Sequence, residues 1–572
     1  MATTLDNVRY WDTTASDFEY PETNPNDPLY YSAIANRPNT GICVSGGGSV
    51  SASLIAGYYA ALTDLNLMQN VRYISGVSGG TWGSAPYVYY PQEDASNFFG
   101  GPTMPGDITT ENMVEVLPGS MAYAASNADI VDAALGFLKD DPLHPNRSYE
   151  EAVGSIFLNN FGIESPSQGN NNPMYFSSDA AAVTNVTSRN TALSSTQFMT
   201  MAQDRPFLIM NATIFVPNGK EPDIILPFEI TPLYCGVKAV QSQAPGINGQ
   251  VIGGFYVESF GFNTTAKTVA INGALQADVD MPFELCQPVG ASGSALEEWA
   301  EANFPPLLSC FPQFNYWNPK EPTDKAPATN LYDFGDGGCI EDTGVTALLA
   351  RGVENIAMFL TEPVLFYPNN CQVEPSSPLF AELAFGYNQI AELFGDQPID
   401  VAASQNANAI VLNPANPQTQ VFDDTNSSNN FQAVLTALYN AKTQGNPTTG
   451  GPVMTEPMTM NVLANSFFGI NNAYEATVVW SVVDTCDSWI KALSSDVTTA
   501  MTNAAPEFTD FPEVQVFQQN PKTVIKLTPG QTDMLTNLAY WMVMTNQSYF
   551  NTIFAPAAAK AKEAESVEAA EA

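Results

Sequence analysis

The chain has 572 residues, 45% of them hydrophobic and 11% aromatic, which is enough to bury a large core and is not the make-up of a disordered protein. Nineteen Lys and Arg stand against 59 Asp and Glu, a formal net charge of −40. A surface of that sign repels nucleic acid and anionic bilayers, since both need cationic contacts, so neither is an expected partner.

The first forty residues are polar, aromatic and dotted with proline, and read as an arm wrapping the body. Met1 to Asp27 holds no basic n-region and no apolar run of signal-peptide length, and no stretch anywhere is long enough to span a membrane. The expectation is a soluble, cytoplasmic protein. A strand ends at Cys43-Val44 and runs into Ser45-Gly46-Gly47-Gly48. A helix follows, with Leu54, Ile55, Tyr58, Tyr59, Leu62 and Leu65 on one face. A second strand, Val71 to Ser75, leads into Gly76-Val77-Ser78-Gly79-Gly80 and a further helix. Strand, glycine loop, helix, strand, turn is the signature of an α/β fold with a mostly parallel sheet.

From about residue 91 to 204 the pattern is irregular and reads as an inserted cap. Met113, Val114, Leu117, Met121, Ile130, Leu135, Phe137 and Leu138 could line an apolar channel there, although packing the cap's own core is the commoner use of such residues. Strand-like runs return at Phe207 to Phe215 and Ile224 to Thr231. A strand near Leu331-Tyr332 enters Asp333-Phe334-Gly335-Asp336-Gly337-Gly338. A helix from Gly344 to Ala350 and a strand from Val353 to Leu360 come next, and Ala476 to Val483 is a last buried strand. Residues 41–554 read as one domain carrying the insertion, and 555–572 as a polar Ala/Glu/Lys tail.

Three segments carry chemistry. Gly76 to Gly80 fits G-x-S-x-G, in which small neighbours let a sharp strand-to-helix turn project the serine at a helix N-terminus. Gly46-Gly47-Gly48, also between strand and helix, could aim amides at an oxyanion; no G-K-[ST] follows, which disfavours a nucleotide loop. The base has few candidates. The one histidine, His144, sits in a Pro-flanked loop, and the order Ser…His…Asp is not that of α/β-hydrolases. Asp336, at a strand end and followed by two glycines, is the simpler choice, with Asp333 and Asp342 as rivals that could instead be turn or cap residues. The seven scattered cysteines contain no C-x-x-C pair, so no zinc site is expected; no cofactor is expected either.

Together, Ser45 to Gly48, Gly76-Val77-Ser78-Gly79-Gly80-Thr81-Trp82 and Asp336-Gly337-Gly338 resemble the paired motifs of the patatin-like lipases. The closer likeness is to the cytosolic phospholipase A2/fungal phospholipase B (lysophospholipase) branch, with weaker similarity at Asn211-Ala212-Thr213, Phe228 to Pro232 and Arg351-Gly352-Val353. The likeness spans about residues 41 to 360. It implies a Ser78–Asp336 dyad, oxyanion donors at Gly47 and Gly48 with Gly79 as an additional one, no catalytic metal, and hydrolysis of a lipid or lysolipid acyl ester with transient contact at a lipid interface. One departure weakens the phospholipid half of this: members place Arg two residues after the triple glycine, where this chain has Val50. Phosphate would then be met from elsewhere, for example by Arg72, or the substrate lacks phosphate. The stretch before Gly41 is too short for the family's calcium-binding membrane-targeting domain. The alternatives are a non-phospholipid carboxylesterase and a catalytically silent lipid-binding or storage protein on the same fold.

Overall fold

The computed structural model describes residues 3–163, 175–217, 223–241, 246–295, 309–321, 324–362, 374–377, 380–443, 451–504, 508, 511–512 and 526–555. The Gln168 to Asn172 patch, Cys371 and nearly all of the C-terminal tail lie outside them.

Five strands make the parallel heart of one fourteen-stranded sheet: Thr40–Val44, Tyr73–Val77, Phe207–Val216, Asn355–Leu360 and Tyr474–Val482. Their order across the sheet is Tyr474–Val482, Asn355–Leu360, Thr40–Val44, Tyr73–Val77, Phe207–Val216. The chain leaves Thr40–Val44 in one direction and later returns on its other side, so the direction of winding switches there. Crevices at the carboxyl ends of strands beside such a switch are where open α/β sheets bind ligands. The segments are near-continuous apolar runs, as both faces of a parallel sheet are covered.

The expectation of a mostly parallel sheet fails for the sheet as a whole, which is mixed. Beyond Phe207–Val216 the strands Ile224–Ile230, Tyr234–Val237 and Phe255–Glu258 each pair antiparallel with the one before. For Ile224–Ile230 and Tyr234–Val237 the reason lies in the connection: Thr231 to Leu233 is a three-residue turn, and parallel neighbours need a crossover of a dozen or more residues. The arm also joins in. Thr3–Asp12 is a strand paired antiparallel with Ala274–Val279 and with Phe255–Glu258.

Helices cover the parallel heart. Gly48–Asp64 packs against Pro529–Thr545 so closely that a Cβ on Gly57 would overlap the Thr536 carbonyl. Tyr58 stacks on Phe359 with centroids 4.0 Å apart. The stretch read as irregular contains the helices Met121–Ser126, Ile130–Asp140, Ser148–Phe157 and Ala180–Arg189 between long turns and loops. Met121 and Ile130 are core residues, whereas Val114 and Leu117 are about half exposed. Among the described residues no helix is long and apolar enough to cross a membrane.

Candidate active site

Register brings the serine and the aspartate together. On one edge of Phe207–Val216, residues up to Asn211 pair in parallel with Tyr73–Val77, and residues from Ala212 pair antiparallel with Asn330–Asp336. Ile224–Ile230 occupies the other edge. The two strands therefore run toward each other and meet end to end: Val77 opposite Asn211, Asp336 opposite Ala212. Ser78 and Gly337 follow at the meeting point, where a Cβ on Gly337 would lie 2.6 Å from the Asn211 carbonyl and 3.1 Å from the Val77 side chain. The Thr213 hydroxyl donates to the Asp336 carbonyl at 2.7 Å and fixes the strand end.

Ser78 has φ 51° and ψ −121°, a backbone conformation costing a non-glycine residue about 1–3 kcal/mol, and it opens the helix Gly79–Val88. The turn is tight: a Cβ on Gly76 would come within 2.9 Å of the Gly80 carbonyl, which is why both flanks must be glycine. The Ser78 amide donates to the Ser292 hydroxyl and to the Ser292 carbonyl, each at 3.1 Å. Ser292 Oγ in turn donates to the Asn211 carbonyl at 2.6 Å and lies 2.8 Å from Thr81 Oγ1.

The glycine loop reaches the same place because Thr40–Val44 lies beside the serine's strand, with Val44 opposite Gly76. Gly47 and Gly48 take φ 118° and 54°, the former scarcely open to other residues. Gly79 sits on Gly48, so that a Cβ there would overlap the Gly48 carbonyl and lie 2.5 Å from its amide nitrogen. Gly47, Gly48 and Gly79 are thus gathered beside Ser78.

Asp336 is buried at 3% exposure. Its Oδ1 accepts the Gly338 amide at 2.8 Å, while Oδ2 is buried with no hydrogen-bond partner among the described residues. Burial pushes its pKa up to about 6, and the Gly338 amide, the nearby Ser78 hydroxyl and the Ala295 backbone each offset part of that rise. Ser78 thus approaches the carboxyl without completing a hydrogen bond to Oδ2. Both rivals are otherwise engaged. Asp333 accepts from Gln313 at 2.6 Å, and both carboxyl oxygens of Asp342 are bonded, to Gly46 and to Gln389. His144 is half exposed and paired with the exposed Asp141 at 2.8 Å.

The structure rules out Arg72 as a phosphate contact. It precedes the strand whose far end carries Ser78, and its guanidinium is held by the carbonyls of Arg37 and Ala35. Val50 is buried. Among the described residues no group of three or more His, Cys, Asp or Glu is arranged to hold a metal ion.

Sequence reasoning missed what covers the serine. The helix Cys286–Ser292 lies over it, with Trp82 Nε1 donating to the Val289 carbonyl at 3.2 Å and the Tyr149 hydroxyl to Gly293 at 2.5 Å. Trp82 also stacks on Phe157 at 5.0 Å. Cys-Gln-Pro-Val-Gly-Ala-Ser is short, contains proline and lacks a charged face, so no helical period marked it.

No family model and no curated protein sequence matches the chain. Among solved structures, human GIVD cytosolic phospholipase A2 superposes with a TM-score of 0.43 at 14% identity, over 90% of this chain and 60% of that one. The same human enzyme in complex with methyl γ-linolenyl fluorophosphonate gives 0.37 at 13% identity, over 90% and 59%. This chain thus spans about 60% of the length of the proteins it matches. Superpositions this loose leave the chemistry to be argued from the chain's own residues.

Proposed function

We propose that the chain is a serine acyl hydrolase acting on lipid-like esters. Ser78 is the nucleophile, Asp336 the general base, and the amides of Gly47, Gly48 and Gly79 the oxyanion donors. The observation that carries this reading is a serine held at an elbow near the buried carboxyl of Asp336, whose Oδ2 has no hydrogen-bond partner among the described residues. A carboxylate near pKa 6 is largely ionised at neutral pH yet basic enough to share a proton with a hydroxyl in the transition state.

Ser78 Oγ attacks the ester carbonyl carbon as its proton passes to Asp336, and the carbonyl oxygen becomes the oxyanion. Collapse breaks the bond to the alcohol oxygen, which leaves with the proton from Asp336, and an acyl-serine remains. Water then attacks the acyl carbon, giving its proton to Asp336. The second tetrahedral intermediate releases the fatty acid as Ser78 regains its proton. The glycine amides are fixed in place by backbone conformation, so they stabilise charge without reorganising.

A non-phospholipid carboxylesterase is a second reading, favoured by the tethering of Arg72 at the opposite strand end and by the carboxyl groups of Asp336, Glu341 and Glu362 gathered around Asp342. A silent lipid-binding protein on this fold would have no need of a strained serine beside a buried carboxylate. Fatty-acid release from dispersed monoacylglycerol and lysophosphatidylcholine tests the reading. Release by the wild type and none by Ser78→Ala is expected; equal release by both would remove Ser78 from the chemistry.

A further inference from the structure

Asp342 is a buried carboxyl that the reaction above does not use. Its Oδ1 accepts the Gly46 amide at 3.2 Å, and the same amide lies 3.2 Å from the Asp342 carbonyl. That Oδ1 is wedged between two loops: a Cβ on Gly46 would overlap it, and one on Gly338 would lie 2.6 Å from it. Gly46 begins the glycine loop, and Gly338 is the residue whose amide holds Asp336. Asp342 therefore touches both segments from which the proposed oxyanion donors and base arise.

On its other side, Asp342 Oδ2 accepts from Gln389 Nε2 at 2.7 Å, the glutamine coming from the helix Phe380–Leu393. Gln389 is buried, and its Oε1 has no hydrogen-bond partner among the described residues. Amide orientation follows the hydrogen-bond network, and turning this one over sets Oε1 against Asp342 Oδ2. A protonated carboxyl there donates to that oxygen, and 2.7 Å is the ordinary length of an O–H···O bond. The charges around the carboxyl point the same way. Burial raises its proton affinity most, followed by Asp336, Glu362 and Glu341, and the Gly46 amide offsets part of the rise. Glu392, on the Gln389 helix, is itself raised by burial and by Glu341.

We propose that Asp342 is a positioning residue, held as an uncharged acid that donates to Gln389, accepts from Gly46, and locks the glycine loop to the segment carrying Asp336. The inference rests on the serine-hydrolase reading of the site. An ionised carboxylate here would put a negative charge at the Gly46 amide, one residue from that of Gly47 and two from that of Gly48, and oppose the oxyanion they receive. The neutral acid keeps the loop in place without that opposition, and it leaves Asp336 as the ionised partner of the pair.

The test compares wild type, Asp342→Asn and Asp342→Ala on a soluble p-nitrophenyl acyl ester, with fluorophosphonate labelling of Ser78 and thermal unfolding as controls. Asn copies the shape and charge of the protonated acid. It is expected to keep kcat within about threefold of wild type, whereas Ala loses about tenfold or more in kcat with little change in KM, as expected when oxyanion donors lose their alignment. An Asn variant as slow as Ala overturns the proposal, because the carboxylate charge would then be what matters. An Ala variant as fast as wild type overturns it too, since nothing would be positioned. Failure of the wild type to hydrolyse or to label at Ser78 fells the hydrolase reading itself, and this proposal with it; labelling at Ser78 with either overturning pattern fells the Asp342 proposal alone.

Discussion

Asp336 carries the pH dependence of the proposed reaction. Its base form is lost as pH falls through about 6, so kcat/KM should decline on the acid side with a midpoint near that value rather than near 4. A midpoint near 4 would place the base in a solvated environment and contradict the buried carboxyl. The same burial opposes folding. Because the folded value lies above the ordinary 3.8, the protonated group's favourable contribution is full below about 3.8 and is lost as pH rises through about 6. Asp336→Asn should therefore unfold at a higher temperature than wild type at pH 8, with the advantage shrinking toward pH 4. Asp336 was legible in the sequence from the two glycines after it. The engagements of Asp333 and Asp342 were not, because Gln313, Gly46 and Gln389 come from distant segments.

Among the elements, the elbow depends on backbones that approach closer than any side chain permits. Adding a methyl at Gly79 pushes against Gly48, so Gly79→Ala should displace the glycine loop and cut kcat about 100-fold, the scale of losing one oxyanion donor. Unchanged kcat would show that the loop has slack the structure does not suggest. Ser292→Ala removes the hydroxyl joining the Ser78 amide, Thr81 and the Asn211 carbonyl, and should destabilise the fold by about 1–3 kcal/mol while slowing Ser78 labelling. The strands of the parallel heart were readable as apolar runs, and the serine's strand differs only in running from Tyr73 to Val77 rather than ending at Ser75. The end-to-end meeting at Asn211 and Ala212 was not readable, since register between segments 130 residues apart leaves no local trace. Thr3–Asp12 escaped notice for a related reason: an edge strand of mixed polarity looks like an arm until its partners are known.

At the scale of the whole molecule, the N-terminal segment and the aspartate's segment are held by one buried cation. Arg351 pairs with Glu22 and Glu229, stacks on Tyr20 and bonds the Tyr234 hydroxyl. Arg351→Met would strand two carboxylates and should cost about 3–5 kcal/mol of stability, seen as a lower unfolding temperature. The surface sets the opposite problem. With 59 acidic against 19 basic residues, self-repulsion should be relieved by salt, and the unfolding temperature should rise between low and moderate ionic strength. The central claim is that Ser78 is a nucleophile activated by Asp336. Labelling with a fluorophosphonate probe, followed by peptide mapping of wild type, Ser78→Ala and Asp336→Asn, tests it most directly. The account predicts a single adduct on Ser78 in the wild type and none in either folded variant. An adduct that persists in Ser78→Ala, or labelling of Asp336→Asn at the wild-type rate, would contradict it.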